Sequence, residues 1–115
     1  MLINELAKRA GVSVHTIRFY ERYGLVRGAR RPEVRSNNYF HYDEESVARL
    51  ELILDAKSAG FTLQEISEII DAWFTDAYSR NEKCAILERK IAALDEKMKE
   101  LRRMKKVIKD CLKEM

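Results

Sequence analysis

The last third of the chain carries an apolar stripe that constrains the fold more than any other feature. Between Glu82 and Glu114, apolar side chains recur every three or four residues without an intervening Pro or Gly. This spacing predicts one helix of about 50 Å, at about 1.5 Å per residue. The stripe consists of Cys84, Leu87, Ile91, Leu94, Met98, Leu101, Ile108, Leu112 and Met115, with Lys105 as its polar interruption and Met104 beside it. A small domain cannot cover so long a stripe, so we expect a second copy of the chain to do so in a two-fold dimer.

Residues 3–24, INELAKRAGVSVHTIRFYERYG, predict a helix, a tight turn and a second helix. Gly11 tolerates positive φ where the first helix ends, and Ser13 caps the second. The inward positions are Leu6, Ala7 and Ala10 in the first helix and Val14, Ile17 and Tyr20 in the second, with Phe19 at the edge of the set. The outward positions of the second helix are His15, Thr16, Arg18 and Arg22. Such a helix is a ridge that fits the major groove of DNA.

The distribution of charge points to a polyanionic partner more clearly than the net charge of +3 does. Residues 1–42 hold eight Lys and Arg against three Asp and Glu, whereas residues 43–76 hold two against nine. A basic head on an acidic middle predicts that one defined face meets nucleic acid. Residues 77–115 are again basic, at twelve against seven, which is typical of a long solvated helix.

Composition excludes several other classes of protein. With 46% hydrophobic and 36% charged residues, the chain is typical of a soluble, helix-rich protein with one modest core. No apolar run approaches the roughly 20 residues of a membrane span, and the N-terminus lacks the pattern of a signal peptide. We therefore expect a cytoplasmic protein with no membrane partner. The two cysteines lie far apart in sequence and do not suggest a disulfide scaffold.

Residues 25–45, LVRGARRPEVRSNNYFHYDEE, predict a wing of two short strands around a turn. The candidate strands are Leu25 to Arg27 and Asn38 to His41, and the segment between them contains the only Pro and several Arg. The arginines on or near the turn are Arg27, Arg30, Arg31 and Arg35. A basic turn of this kind can lie along a phosphate backbone, although a solvated loop is the alternative.

Two further helices complete the predicted head. Asp43 caps the first, from roughly Glu44 to Ser58, and Gly60 ends it. Thr62 caps the second, with Glu65 placed for a capping box. The sequence thus predicts a mostly α-helical protein: a DNA-binding domain at residues 1–76, then a linker and dimerisation helix at residues 77–115.

The string ELAKRAGVSVHTIRFYERYGLV, followed by a basic wing, NYFHY, AKSAGFTLQEI and a long terminal helix, resembles the MerR family of bacterial transcription regulators. The resemblance covers essentially the whole chain. It implies a winged helix-turn-helix head, an antiparallel coiled-coil dimer and a promoter with an over-long spacer between its two recognition elements. Members of the family bend such DNA and untwist it when an effector arrives, which lets RNA polymerase engage. This mechanism uses the deformability of DNA between half-sites.

The resemblance also implies which residues contact double-stranded promoter DNA. In the second helix these are Ser13, His15, Thr16 and Arg18, with Tyr20 and Arg22 near the backbone. Arg18 occupies the matching position in TIR, whereas His15 stands where many relatives carry Arg. The family's Gly-Tyr-Arg-x-Tyr wing motif appears here as residues 38–42, NYFHY, in which Phe40 replaces the Arg. The resemblance therefore implies wing contacts from Tyr39 and from Arg35 or His41, and a further basic contact from Lys57.

The sequence leaves the effector open. No cofactor is certain, and a thiophilic metal ion is one candidate. Cys84 matches a position where metal-sensing relatives place a ligand, but those relatives carry two more cysteines around a C-terminal loop, and only four residues follow Cys111. In an antiparallel pair with its axis near Lys97 and Met98, Cys84 comes level with the partner's Cys111. The two could bind a thiophilic metal ion, form a disulfide as a thiol or redox sensor, or be apolar packing. Loss of a sensor segment after Met115 is the remaining alternative.

Two rival classes of function remain at this stage. The first is a coiled-coil interaction protein whose head docks protein rather than DNA. The second is an enzyme, which the sequence disfavours: His15 and His41 both fall on the predicted DNA face, and the chain lacks a phosphate-binding Gly-rich loop. Enrichment of an inverted repeat from a DNA pool would distinguish the regulator from the interaction protein.

Overall fold

The computed structural model describes residues 1–30 and 40–115, with Arg30 described by its backbone. The chain divides into two compact units, Met1–Phe74 and Thr75–Met115. Within the described residues, the first unit contains α1 (Ile3–Ala10), α2 (Val14–Arg22), β1 (Ala29–Arg30), β2 (Phe40–His41), α3 (Glu44–Ser58) and α4 (Leu63–Phe74). The second contains α5 (Arg80–Lys113). The prediction of a mostly helical protein is confirmed.

Helices α1 and α2 form the predicted helix-turn-helix. Gly11 adopts φ 72°, in the left-handed region, and donates its backbone N–H to the carbonyl of Ala7, which ends α1. Leu6 and Ile17 are fully buried, and α1 packs against both α2 and α3. Phe19, which the sequence placed at the edge of the inward set, is instead 36% exposed.

The wing base is an antiparallel pair of strands in which Ala29 faces His41 and Arg30 faces Phe40. Phe40 and His41 fall within a predicted strand. The rest of that predicted strand, Asn38 and Tyr39, lies outside the described residues, as do Arg31 and Arg35.

The prediction of a strand from Leu25 to Arg27 is wrong. Leu25 and Val26 are consecutive and are 2% and 0% exposed, whereas the side chains of a half-buried strand alternate between core and solvent. The Leu25 N–H donates to the carbonyl of Tyr20 at 3.0 Å, and the Arg49 guanidinium donates to the Leu25 carbonyl at 3.2 Å. These bonds hold the segment against the end of α2, so the strand begins at Ala29, four residues later than predicted.

Helices α3 and α4 begin at the predicted capping residues. Asp43 accepts a hydrogen bond from the Ser46 N–H at 3.1 Å. Thr62 and Glu65 form a reciprocal capping box, with bonds of 3.2 and 2.8 Å between their side chains and backbone N–H groups. The two helices pack against each other, and their buried residues include Val47, Leu50, Ile53, Ile66, Ile69 and Ile70.

Helix α5 has 34 residues and is therefore about 50 Å long. It begins two residues earlier than the sequence interpretation placed it, because Ser79 and Glu82 form a capping box that the interpretation missed. The Leu, Ile and Met side chains of the apolar stripe that lie within α5 are exposed, from 39% at Leu94 to 69% at Ile108 and Leu112. None of the helices in residues 1–30 and 40–115 has the length and apolar character needed to cross a membrane.

Candidate nucleic-acid interface

The orientation of α2 determines which side chains the helix-turn-helix presents. Ile17 and Tyr20 lie in the core, at 0% and 3% exposure, and anchor one face of the helix. The opposite face presents His15, Arg18 and Arg22, all exposed. Because this face carries two guanidinium groups and an imidazole, it can donate hydrogen bonds to phosphate or to base edges.

Ser13 and Thr16 hold the N-terminus of α2. The Ser13 hydroxyl accepts the Thr16 N–H at 3.1 Å, and the two hydroxyl oxygens lie 3.0 Å apart, where either can donate. The cap satisfies one of the free N–H groups of the first turn. Both side chains thus have a structural role, and Ser13 remains exposed beside His15.

His15, Arg18, Glu21 and Arg22 line one open depression of about 490 Å³ on the surface of α2. The Arg22 guanidinium lies 5.9 Å from the centre of the Phe19 ring, a distance suited to a cation–π interaction. The contact orients Arg22 while its side chain remains exposed to solvent.

Tyr20 corrects the predicted set of contacts. The resemblance placed it near the DNA backbone, but its side chain is only 3% exposed and packs in the core, as the helical spacing predicts. Helical spacing explains the difference, because Tyr20 follows the anchor Ile17 by three residues and shares its inward face. We therefore leave Tyr20 out of the proposed DNA contacts.

A partly buried hydrogen bond joins the residue after β2 to α2. The Tyr42 hydroxyl donates to the Glu21 carboxylate, and Tyr42 is 5% exposed. Burial, followed by the hydrogen bond to Glu21, raises the pKa of Tyr42 above its ordinary value of 10.0. The bond links the wing base to the last turn of α2, one turn from Arg18.

Gly28 makes room for this arrangement. A Cβ atom at Gly28 would lie 2.7 Å from the Cβ of Phe40 and 3.0 Å from the Cζ of Tyr42. Both distances are too short for ordinary van der Waals contact, so the close approach of the chain to β2 and to the Tyr42 ring requires glycine here. The sequence interpretation identified neither Gly28 nor the Tyr42–Glu21 bond.

The remaining predicted residues fall on other elements. His41 lies on β2 and is partly exposed, and Lys57 lies exposed on the last turn of α3. Arg35 and Tyr39 lie outside the described residues. The structure thus brings together the side chains on α2 and places His41 and Lys57 on other elements of the same compact unit.

Arg9 has a partner within the protein, which distinguishes it from the exposed cations of α2. Its two terminal nitrogens lie 2.5 and 2.7 Å from the two carboxylate oxygens of Glu44, in a bidentate pair. The hydrogen bond from Arg9 holds the pKa of Glu44 below its ordinary value. This pair joins α1 to the start of α3.

The two candidate sensor thiols lie on one helix. Cys84 and Cys111 are both exposed on α5 and free. Twenty-seven residues separate them, so they lie about 40 Å apart along the helix axis. Within residues 1–30 and 40–115, no group of three or more His, Cys, Asp or Glu side chains is placed to hold a metal ion. In the described part of one chain, these thiols therefore do not constitute a metal site.

Comparison with known proteins agrees with this architecture. The model of the MerR HTH family regulatory proteins matches residues 1–73, and that of the MerR DNA-binding family matches residues 47–111. The mercuric resistance operon regulatory protein of Shigella flexneri is 36% identical over 110 residues, which cover 96% of this chain and 73% of that protein.

Two solved structures have a similar fold. The transcription regulator PbrR691 from Ralstonia metallidurans CH34, in complex with lead(II), has a TM-score of 0.82 and 34% identity, covering 96% of this chain and 83% of that one. HiNmlR, a MerR family regulator bound to promoter DNA, has a TM-score of 0.60 and 21% identity, covering 90% and 76%. The second likeness concerns the fold alone. Together with the matching family models, the first establishes that this chain belongs to the MerR family of DNA-binding transcription regulators, which are not enzymes.

Proposed function

We propose that the protein binds, as a homodimer, to a bacterial promoter that contains an inverted repeat, and that it acts in the cytoplasm. Residues 1–76 form the DNA-binding domain, and residues 77–115 form the linker and the dimerisation helix. Each protomer reads one half-site. The proposed contacts come from Ser13, His15, Thr16, Arg18 and Arg22 on α2, from Arg35, Tyr39 and His41 in the wing, and from Lys57 on α3.

The observation that carries this proposal is the two-sided character of α2. Ile17 and Tyr20 fix one face in the core, while the other presents Arg18 and its charged neighbours to solvent. The guanidinium of Arg18 can bond two acceptors at once, either a guanine edge or a phosphate. The family assignment favours DNA over the alternative in which the head docks protein.

The regulatory step follows from the arrangement of two heads on one dimer. Both heads engage their half-sites only when the intervening DNA bends, so the spacer is read through the energy of its deformation. We propose that an effector changes this bend and untwists the spacer. The promoter elements on either side then come into register for RNA polymerase, which the protein affects through the DNA.

The effector we propose is a thiophilic metal ion or a thiol or redox signal. The relatives include a mercuric resistance regulator and a protein solved with lead(II), and thiolates are the ligands that such soft ions prefer. Cys84 and Cys111 lie about 40 Å apart on one helix, so a shared site needs two chains. In an antiparallel pair, the start of one α5 lies beside the end of the other, which provides that opportunity.

The DNA-binding proposal is tested by selection from a random DNA pool. We expect enrichment of an inverted repeat, and we expect Arg18→Ala to weaken binding to it by about 1–3 kcal/mol or to relax one operator position. Arg103→Ala on α5 is the matched control, since it removes the same charge outside the head. If no sequence is enriched, the head does not read DNA; if Arg18→Ala retains full affinity and selectivity, the assignment of α2 is wrong.

The effector proposal needs a separate measurement. Native mass spectra of the reduced protein are compared with spectra recorded after mild oxidation and after addition of thiophilic metal ions. A dimer that gains metal, or two interchain disulfides, supports the thiols as the sensor. A dimer that gains neither contradicts the effector proposal and leaves the DNA-binding proposal intact.

A further inference from the structure

Helix α5 exposes an apolar face with a regular heptad spacing. When Cys84 is assigned to position a, the a and d positions hold every member of the stripe and also Lys105. Leu94, Met98 and Leu101 near the middle are 39%, 50% and 62% exposed. Because this face runs the whole length of the helix, its occupant must itself be a long apolar surface.

The polar residue in this face distinguishes between the two orientations of a helix pair. In a parallel pair, a positions face each other, so Lys105 would meet the partner's Lys105 in the seam. At the flanks of that pair, Lys97 at g would face the partner's Arg102 at e, whereas Lys83 and Lys90 at g would face the partner's Glu88 and Asp95, so the flanking charges do not decide the orientation. In an antiparallel pair, a positions face d positions, and Lys105 instead lies beside an apolar residue of the partner. Repulsion between the two Lys105 side chains therefore disfavours the parallel orientation, in agreement with the antiparallel coiled coil that the family resemblance implies.

The charges at the e positions of one helix are complementary to those of a second copy that runs in the opposite direction. Glu88 and Asp95 occupy e in the first half of α5, and Arg102 and Lys109 occupy e in the second half. In an antiparallel pair, the e column of one helix runs beside the e column of the other. The acidic half of each column then lies beside the basic half of its partner.

We propose that α5 pairs with a second copy of itself in one antiparallel register, with Met98 opposite the partner's Leu101. The proposal rests on the homodimer proposed above and specifies its pairing. In this register Glu88 lies near the partner's Lys109, and Asp95 lies near the partner's Arg102. Two-fold symmetry makes each ion pair twice.

Registers displaced by one heptad keep only half of these attractive pairs and add contacts between like charges. A slip in one direction places Asp95 beside the partner's Asp95 and Lys97 beside the partner's Lys97. A slip in the other direction places Arg102 beside the partner's Arg102. Both slips keep a positions opposite d positions and lose only two of the ten layers, so the charges at e and g help to select among registers that the stripe permits.

Ion pairs within α5 are compatible with this role. Lys99 lies 3.4 Å from Glu96, and Lys106 lies 3.7 Å from Asp110. These four residues occupy positions b and f, on the side of the helix away from the seam. They do not compete with pairing of the e residues to another chain.

The register also refines the placement of the thiols. Cys84 lies level with the partner's Met115, so the partner's Cys111 is about one turn, or about 6 Å, away along the axis. The sequence interpretation, with its axis near Lys97 and Met98, placed the two thiols level. The a-to-d layering of the stripe moves that axis to between residues 99 and 100.

Charge reversal tests the proposed pairs. Asp95→Arg and Arg102→Asp each replace two attractive pairs by two repulsive ones, and we expect each to raise the dimer dissociation constant by about ten- to thirtyfold. The double variant restores opposite charges, and we expect it to recover a value within about threefold of the parent. The matched control is Glu96→Arg with Arg103→Asp at the outward f positions, for which we expect less than about a twofold change. Failure of the double variant to recover would overturn the proposed pairing.

Disulfide trapping tests the register without altering charge. In a Cys84→Ser, Cys111→Ser background, Ile91→Cys with Ile108→Cys should crosslink fully on oxidation, because these positions form one a-to-d layer. Ile91→Cys alone, and Ile91→Cys with Leu101→Cys, should not crosslink. Trapping of the single variant indicates a parallel pair, and trapping of the second pair indicates a slipped register; either result overturns the proposal while the homodimer stands. A parent protein that stays monomeric overturns both.

Discussion

The hydrogen bond from Tyr42 to Glu21 provides a sharp test of how the head is held together. Tyr42→Phe removes the hydroxyl and keeps the buried ring, so packing against Gly28 is unchanged. It leaves the Glu21 carboxylate without its donor. A hydrogen bond to a charged group contributes about 1.5–3 kcal/mol. Because Glu21 is partly exposed, water can replace some of this, and we expect a loss of about 1–2 kcal/mol in the free energy of unfolding.

The assay is urea and thermal unfolding at fixed protein concentration, since association makes Tm depend on concentration. For a domain of this size, each kcal/mol lowers Tm by about 4–8 °C. Tyr23→Phe is the matched control: Tyr23 follows α2 and is 56% exposed, so removal of its hydroxyl should change little. Equal stability of the Tyr42→Phe variant and the parent would refute the role given to this bond.

The pH dependence of the same variant gives a second criterion. The folded protein raises the pKa of Tyr42 above its unfolded value of 10.0. The resulting stabilisation is complete below that value and is lost as pH rises through the folded pKa. The stability advantage of the parent over Tyr42→Phe should therefore shrink above pH 10. A difference that is the same at pH 7 and pH 11 would contradict the linkage.

Three further substitutions test local features of the fold. Gly28→Ala should lower the free energy of unfolding of the head by about 1–3 kcal/mol, because the added Cβ would lie 2.7 Å from the Cβ of Phe40. Urea unfolding measures this, and an unchanged midpoint would show that the backbone accommodates the added methyl group without loss of stability. Ser79→Ala should lower the free energy of unfolding by about 1 kcal/mol and fray the start of α5. Amide hydrogen exchange at residues 80–83 should become faster, and an unchanged exchange rate would show that the Ser79 cap does not stabilise the helix. Glu44→Gln should be less stable than the parent at neutral pH. The difference should begin to shrink as pH falls below the carboxyl's ordinary pKa of 4.5 and should vanish only below the folded pKa, which the Arg9 pair holds lower still; a difference that stays constant through this range would contradict this.

Features with a local cause could be predicted from the sequence. Ser13, Asp43 and Thr62 each cap a helix through a bond to a residue three positions later, and such bonds depend on short segments alone. The bounds of α3 follow from the same local signals. The start of α5 had an equivalent signal in Ser79 and Glu82, which the sequence interpretation overlooked.

Features that depend on distant residues could not be predicted in this way. Glu21 and Tyr42 are 21 residues apart, and neither type at its position indicates the other. Leu25 and Val26 are strand-forming residues by propensity, but Arg49, 24 residues beyond Leu25, bonds the Leu25 carbonyl and helps to hold the segment in the core. Tyr20 was assigned to DNA by resemblance, while its helical position placed it in the core.

The register proposed for α5 predicts the separation of the two DNA half-sites that the dimer binds. If each head is carried by the start of its α5, a slip of one heptad moves one head relative to the other by about 10 Å along the coil. At about 3.4 Å per base pair, this corresponds to about three base pairs of separation between half-sites. A change of that size rotates one half-site by about 100° around the duplex, because B-DNA repeats every 10–10.5 base pairs or so. The charges at Asp95 and Arg102 would thus select not only the dimer but also the length of spacer that it can bridge. Selected operators should therefore show one dominant spacing, which the double charge reversal leaves unchanged.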